Sequence, residues 1–296
     1  MELGSGFLWG GRGTELVYRN GAEDIRLSEL QWNIQALPYI SLYGALTPET
    51  VWEKAAFFAA LHLKIGIPGL KSTMEDRDWQ EPSTGLLTNF STHDNYTDNA
   101  VIFDLEAGAT VPIWNIVIIK ATAGFSAMHF KWIARDGYLQ YATQTGGVYN
   151  PWDESLPKVT FTGPAIAYKQ TWLAWNLGIA VSIPLDSHFS ISATFKAGTG
   201  IVCWDQDDHF SRKLQFNDRL FGGIFLEPCI ALSFTIPRSG YAVNLYFSYR
   251  TITGARGDAY IKTTGPSVSG TTTETKNTAG AGFSTFLTGV SFVMKF

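Results

Sequence analysis

Two acidic clusters far apart in the chain carry the residues best suited to chemistry: Asp76-Arg77-Asp78-Trp79 and Trp204-Asp205-Gln206-Asp207-Asp208-His209. Each follows a strand-like segment, where a loop begins. Side chains two positions apart face the same way on an extended strand. Asp76 therefore shares a face with Asp78, and Asp207 shares one with His209. Brought together across a cleft, the carboxylate couple could hold a water molecule, and the Asp-His pair could take a proton from it. Only the fold can unite them, so the elements that carry them come next.

The chain has 296 residues and a net charge of −4. Net acidity argues against nucleic acid as a partner. Hydrophobic residues make up 45% and aromatics 14%, while charged residues reach only 16%, low for a soluble protein. The longest apolar stretch, Ala107 to Met128, is interrupted by Pro112, Asn115 and Lys120, so a transmembrane helix is not expected. The two cysteines, Cys203 and Cys229, cannot form a disulfide framework, although one cross-strand bridge is open to them. The chain opens Met1-Glu2-Leu3 with neither a charged nor an apolar leader region. That fits a cytoplasmic chain, or a mature one whose signal peptide has been removed.

The recurrent pattern is alternation. Phe57, Ala59, Leu61, Leu63, Ile65 and Ile67 face one way; Ala60, His62, Lys64 and Gly66 face the other. Val101, Phe103 and Leu105 oppose Asp104 and Glu106. Trp175, Leu177, Ile179, Val181 and Ile183 oppose Asn176, Gly178 and Ser182. Phe286, Val290 and Phe292 oppose Gly289 and Ser291. Period-two patterning of this kind marks strands. The polar face mixes Gly and Ser with lone charges of both signs: His62, Lys64, Asp104, Glu106, Lys120, Lys196 and Arg250. Such a face suits a packed, charge-paired barrel lumen, with the apolar face turned to lipid. Only a closed barrel satisfies every backbone group when strands span a bilayer.

Connections alternate in length. Short turns fall near Thr47-Pro48-Glu49, Val111 to Asn115, Pro184-Leu185-Asp186 and Pro237-Arg238-Ser239-Gly240. Long polar segments fall at Arg19 to Asp24, Lys71 to Asn99, Asp136 to Lys158, Gln206 to Asn217 and Gly254 to Ala279. Nine connections give ten antiparallel strands in a single domain over residues 1–296, with short turns on the periplasmic side and long loops outside. Several strands exceed the length that crosses a bilayer, so the barrel is expected to project beyond the membrane. The stretch Thr263 to Gly282, rich in Thr, Gly and Ser, reads as a loop tip. Trp79, Trp114, Trp132 and Trp204 read as interface or loop-base aromatics.

Four segments resemble the omptin family of ten-stranded outer-membrane endopeptidases: Thr73-Met74-Glu75-Asp76-Arg77-Asp78-Trp79, Asp205-Gln206-Asp207-Asp208-His209, Glu15-Leu16-Val17-Tyr18 and Ile166-Ala167-Tyr168-Lys169-Gln170. Their order extends over nearly the whole chain. The final strand, with alternating aromatics running to Phe296, also resembles those that outer-membrane barrels present for assembly. The resemblance implies a cell-surface protease with its active site on the extracellular side. Asp76 and Asp78 would form the carboxylate couple, and Asp207 and His209 the dyad that activates water. Glu15 and Asp205 would hold the basic side chain of a peptide substrate. Neither a cofactor nor a metal is implied, and the barrel would be a monomer in outer-membrane lipid.

Two points resist a simple transfer. Strict alternation from Phe195 and Ile201 would turn Asp207 and His209 toward lipid, so their strand needs a one-residue slip near Gly198 to Gly200, or must end before Asp205. Asp76 and Asp78 keep the inward parity of His62 and Lys64. Omptins also grip lipopolysaccharide phosphates with charged residues on the outer wall. Here the matching stretch reads Phe125-Ser126-Ala127-Met128-His129, and Thr171 follows Tyr168-Lys169-Gln170, so dependence on lipopolysaccharide is not expected. The alternative functions are an inactive barrel of the same ancestry acting as a surface adhesin for host proteins, and, less well fitted to a charged lumen, a small porin.

Overall fold

Alternation of apolar and polar residues leaves each strand of this chain with one face for lipid and one for the interior, and the observed architecture follows from it. The computed structural model describes residues 1–47, 55–113, 116–264 and 272–294, with the side chains of residues 22–24 set aside. The turn at Pro48-Glu49, the turn residues Trp114 and Asn115, and the terminal Phe296 lie outside the described residues.

The long strands are β1 (Glu2–Arg19), β2 (Ala22–Leu46), β3 (Ala56–Gly66), β4 (Lys71–Asp78), β5 (Asn89–Ile113) and β6 (Val117–Tyr141). Three two-residue pieces follow: β7 (Gln144–Thr145), β8 (Val148–Tyr149) and β9 (Val159–Thr160). Then come β10 (Pro164–Pro184), β11 (Phe189–Gly198), β12 (Val202–His209), β13 (Leu214–Phe221), β14 (Ile224–Thr235), β15 (Tyr241–Thr263) and β16 (Thr272–Met294). β3 and β4 both pair with β2 and β5; β11 and β12 both pair with β10, β13 and β14 both pair with β15, and β11 pairs with β14 as β12 does with β13. Counted as continuous staves, these make the ten antiparallel strands of a ring, and β1 pairing with β16 joins its ends.

In the half nearer the short turns, the outward face is apolar and open: Trp175 and Leu177 are 68% and 70% exposed, alongside Phe57, Ile65, Phe195 and Leu245. The inward face is charged and buried. Arg250 is fully buried; its Nη2 donates to Asp104 Oδ1 at 3.0 Å, Asp104 Oδ2 at 2.9 Å and Glu227 Oε2 at 2.7 Å. Glu106 takes Lys120 at 2.7 Å and Lys196 at 3.0 Å. Ion pairs across the lumen block a wide aqueous channel and leave a cavity of about 290 Å³. The other half is filled by aromatics. Trp32, Trp132 and Tyr168 stack at 5.2 to 6.3 Å, with Phe130 against Trp132. Trp132 thus belongs to the interior rather than to an interface; unbroken inward parity along β6 puts it there.

The two halves are out of register with each other on several strands. In β1, inward positions change from Glu2, Gly4, Gly6 and Leu8 to Gly11, Gly13 and Glu15, across a shift at Gly10 (φ +62°). In β5 they change from Ile102 and Ala100 to Thr97 and Asn95. Between β11 and β12 the partners of β10 run from Leu177↔Ala197 to Leu173↔Val202, so four steps on one strand face five on the other. The extra residue lies in 199–201, with Gly200 at φ +66°. Ile201 is consequently inside, not toward lipid. A bulge inserts one residue and reverses every side chain beyond it.

Four of the segments expected as loops are largely strand: β4 and the start of β5 occupy most of 71–99, and β12 and β13 most of 206–217. Only Asn20 and Gly21 separate β1 from β2, and most of 254–263 and 272–282 belongs to β15 and β16. Outside the bilayer a strand needs only ladder hydrogen bonds and a satisfied interior face, so Thr- and Gly-rich sequence serves. Cys203 and Cys229 are both free thiols, on β12 and β14.

Candidate active site

The two acidic clusters sit at corresponding ends of strands in the aromatic-filled half. Asp76 lies on β4 between Leu30 of β2 and Ser91 of β5, and Asp78 lies one inward position further, between Ser28 and Asn89. Ser28 Oγ donates to Asp76 Oδ1 at 3.3 Å. On β12, the bulge at 199–201 turns Cys203, Asp205 and Asp207 inward. Asp207 is 1% exposed, and its Oδ2 meets His209 Nε2 at 2.5 Å; its Oδ1 has no partner. The edge of Phe216 supports the imidazole, with ring centres 5.3 Å apart.

The clusters act on each other electrostatically. Burial raises the Asp76 carboxyl to about 7; Asp78 and Asp207 add to the rise, while His209 and Arg212 oppose it. Asp78 is raised by burial and moderated by Ser28, Arg212, Asn89 and His209. Burial also raises Asp207, against the pull of His209. For His209, burial disfavours the imidazolium, but the charge and hydrogen bond of Asp207 outweigh it, so its pKa is raised. The cations that oppose these rises are His209 and the exposed Arg212, in the turn 210–213.

Deeper in the barrel lies a second acidic group. Glu15 (3% exposed) enters from β1 beyond the Gly10 bulge, and its Oε2 has no partner. Asp205 accepts a hydrogen bond from Tyr168 Oη at 3.0 Å, and Gln170 Nε2 donates to that same Oη at 2.9 Å. Gln170 also donates to the Thr14 carbonyl at 3.0 Å, which ties β10 to the strand carrying Glu15. Burial raises Glu15 well above the carboxylate range, with Asp207 and Asp205 adding to it; burial raises Asp205 to about 7.

Sequence reasoning missed Asp218. It stands directly opposite Asp205 across β12 and β13, equally buried at 5% exposure, with Oδ1 unpartnered. A signal was present: a hairpin folded about 210–213 pairs 205 with 218. Reading 206–217 as one loop concealed it. All six expected site residues therefore line the interior of one end of the barrel. Four of them bracket Arg212's field, and two lie beneath with Asp218. Among the described residues no group of acidic, His and Cys side chains is arranged to hold a metal. Chemically, the upper set offers a base with its orienting carboxylate beside a second carboxylate couple, and the lower set offers uncompensated negative charge.

The family model described as the Omptin family matches residues 1–296, so the chain belongs to the omptin family. A plasminogen activator from Yersinia pestis is 24% identical over 237 residues, 79% of this chain and 68% of that protein. The crystal structure of the outer membrane protease OmpT from Escherichia coli superposes with a TM-score of 0.78 and 18% identity, covering 100% of this chain and 97% of that one. The protein is an outer-membrane protease whose active site faces the extracellular side.

Proposed function

We propose that this omptin cleaves peptides beside a basic residue, using water activated by Asp207 and His209 and positioned by Asp76 and Asp78. The observation that carries the reading is the buried Asp207–His209 bond, held electrostatically close to a carboxylate couple from the opposite stave. With Nε2 directed to Asp207, His209 Nδ1 is the nitrogen free to take a proton. Water between Nδ1 and the couple attacks the peptide carbonyl, and the proton passes to His209. Asp207 fixes the ring and stabilises the imidazolium, as an orienting carboxylate does in other His-based sites. The proton then goes to the leaving amine. No side chain is acylated.

Glu15 and Asp205 supply the pocket for the basic side chain. An unpartnered Glu15 Oε2 in a buried acidic pocket is costly without a cation and is satisfied by one. The outer wall supports independence from lipopolysaccharide. His129 Nδ1 is engaged with Thr171 Oγ1 at 2.9 Å, and Lys131 is paired with Asp98 at 2.6 Å, which leaves Lys169, beside Lys131, as the further cation of this patch. Ala127 offers no charge.

The test is the refolded barrel with quenched fluorescent peptides that differ only in Arg-Lys or Ala-Ala at the centre, each with and without lipopolysaccharide. The reading expects cleavage of the first peptide, strong preference over the second, and little change on adding the lipid. Equal cleavage of both peptides overturns the pocket, and activity seen only with lipopolysaccharide overturns the independence.

A further inference from the structure

Asp218 is absent from the mechanism above, yet it is a buried acid with an unpartnered oxygen. Its side chain is buried where Asp205 and Asp207 both repel its charge, and Oδ1 has no hydrogen-bond partner. Asp205 and Asp218 face one another in the register of β12 and β13, and burial together with the Asp205 charge raises the Asp218 carboxyl. Leu220, the next inward residue on the same strand, is fully buried and apolar. A buried acid with an unpartnered acceptor is costly to the fold, and such groups are found where function uses them.

We propose that Asp218 is a third carboxylate of the substrate side-chain pocket, and that the Asp205–Asp218 pair facing Glu15 makes this pocket select arginine over lysine. The inference rests on the proposed peptide-cleaving reading of the site. Its geometry is specific to the guanidinium. Glu15 arrives on β1, Asp205 and Asp218 on β12 and β13, so unfilled acceptors approach from different staves. A guanidinium carries five N–H donors around a flat edge and can address acceptors on several sides at once. An ammonium is a point donor at the end of a flexible stem. Trp32, Tyr168 and Trp132 are fully buried and stacked on one another, with Tyr168 hydrogen-bonded to Asp205, so they form a rigid wall beside it. Tyr168 cannot turn away, because Gln170 holds its hydroxyl.

The experiment compares Asp218→Asn with the wild-type barrel on two peptides identical except for Arg or Lys at the basic position, reading kcat/KM for each. Asn keeps the size of the side chain but removes the charge; Asp218→Ser serves as a second variant, and the heat-modifiable gel shift verifies folding of both. The loss of one charged hydrogen bond should lower kcat/KM for the Arg peptide about ten- to a hundredfold, and for the Lys peptide clearly less, so the Arg-to-Lys ratio falls at least severalfold. A folded Asp218→Asn barrel with the wild-type ratio overturns the proposal. If the wild type cleaves neither peptide, the peptide-cleaving reading has failed separately. Equilibrium binding of the same two peptides then decides the pocket: an Arg preference that the variant loses supports it, and equal binding by wild type and variant overturns it.

Discussion

Asp76→Asn should stabilise the folded barrel while abolishing its activity, and the gain should depend on pH. Burial raises the Asp76 carboxyl from 3.8 to about 7 in the folded protein. A carboxyl with a raised folded pKa keeps a proton that the unfolded chain gives up. The fold therefore loses stability as pH rises from the unfolded pKa toward 7, and the cost is complete above 7. A shift of about three units, at about 1.4 kcal/mol each, gives a cost of about 4 kcal/mol. Asn has no proton to lose, and its Oδ1 can still accept from Ser28. At about pH 8 the variant should thus be more stable than wild type by up to about 4 kcal/mol; at about pH 4 the two should coincide. The assay is the urea midpoint of the refolded barrel in detergent, followed by tryptophan fluorescence at both pH values. A variant equally stabilised at both, or destabilised at about pH 8, would refute the assignment of Asp76 as a buried acid kept for function at a cost in stability.

Other perturbations probe separate parts of the account. Asp207→Asn removes the group that holds the His209 pKa up, so the acid limb of the kcat/KM–pH profile should move to lower pH as the maximum falls; a limb that stays in place would break the dyad. Arg250→Ala leaves Glu227 buried without its hydrogen-bonded cation and Asp104 with only the more distant Lys64, and urea unfolding should show a loss of about 3–5 kcal/mol. Gly200→Val forces a β-branched residue to φ +66°, at a cost of about 1–2 kcal/mol. Its effect on kcat should exceed that modest loss in urea stability, because the bulge aims Asp205 and Asp207 inward.

How much of this was legible in the sequence differs between the two halves. In the membrane half, lipid outside and packed charges inside impose strict alternation, so Lys64 against Leu63 or Asp104 against Phe103 can be read directly. The projecting half lacks lipid, and water permits polar residues on both faces. There the Thr- and Gly-rich ends of β15 and β16 looked like loop, and Asp218 vanished into one. Parity failed where strands bulge. The slip required near Gly198 to Gly200 is present at 199–201, because Asp207 has to be inward while Phe195 is outward. The comparable slip at Gly10, which turns Glu15 inward, carries no sequence mark beyond a glycine among several. Trp132 was misplaced because an aromatic near a strand's upper part reads equally well as interface or core, and only the neighbouring Trp32 and Tyr168 decide between them.

The central claim is that His209, oriented by Asp207, activates water for peptide cleavage at the extracellular end of the barrel. The most direct measurement is the cleavage rate of an arginine-containing peptide by the refolded His209→Ala barrel beside wild type, with products identified by mass. The account predicts that wild type cuts at the bond beside the arginine, and that His209→Ala is slower by about 10²–10⁴ with its heat-modifiable fold intact. A folded His209→Ala barrel that cuts the same bond at the wild-type rate would contradict it.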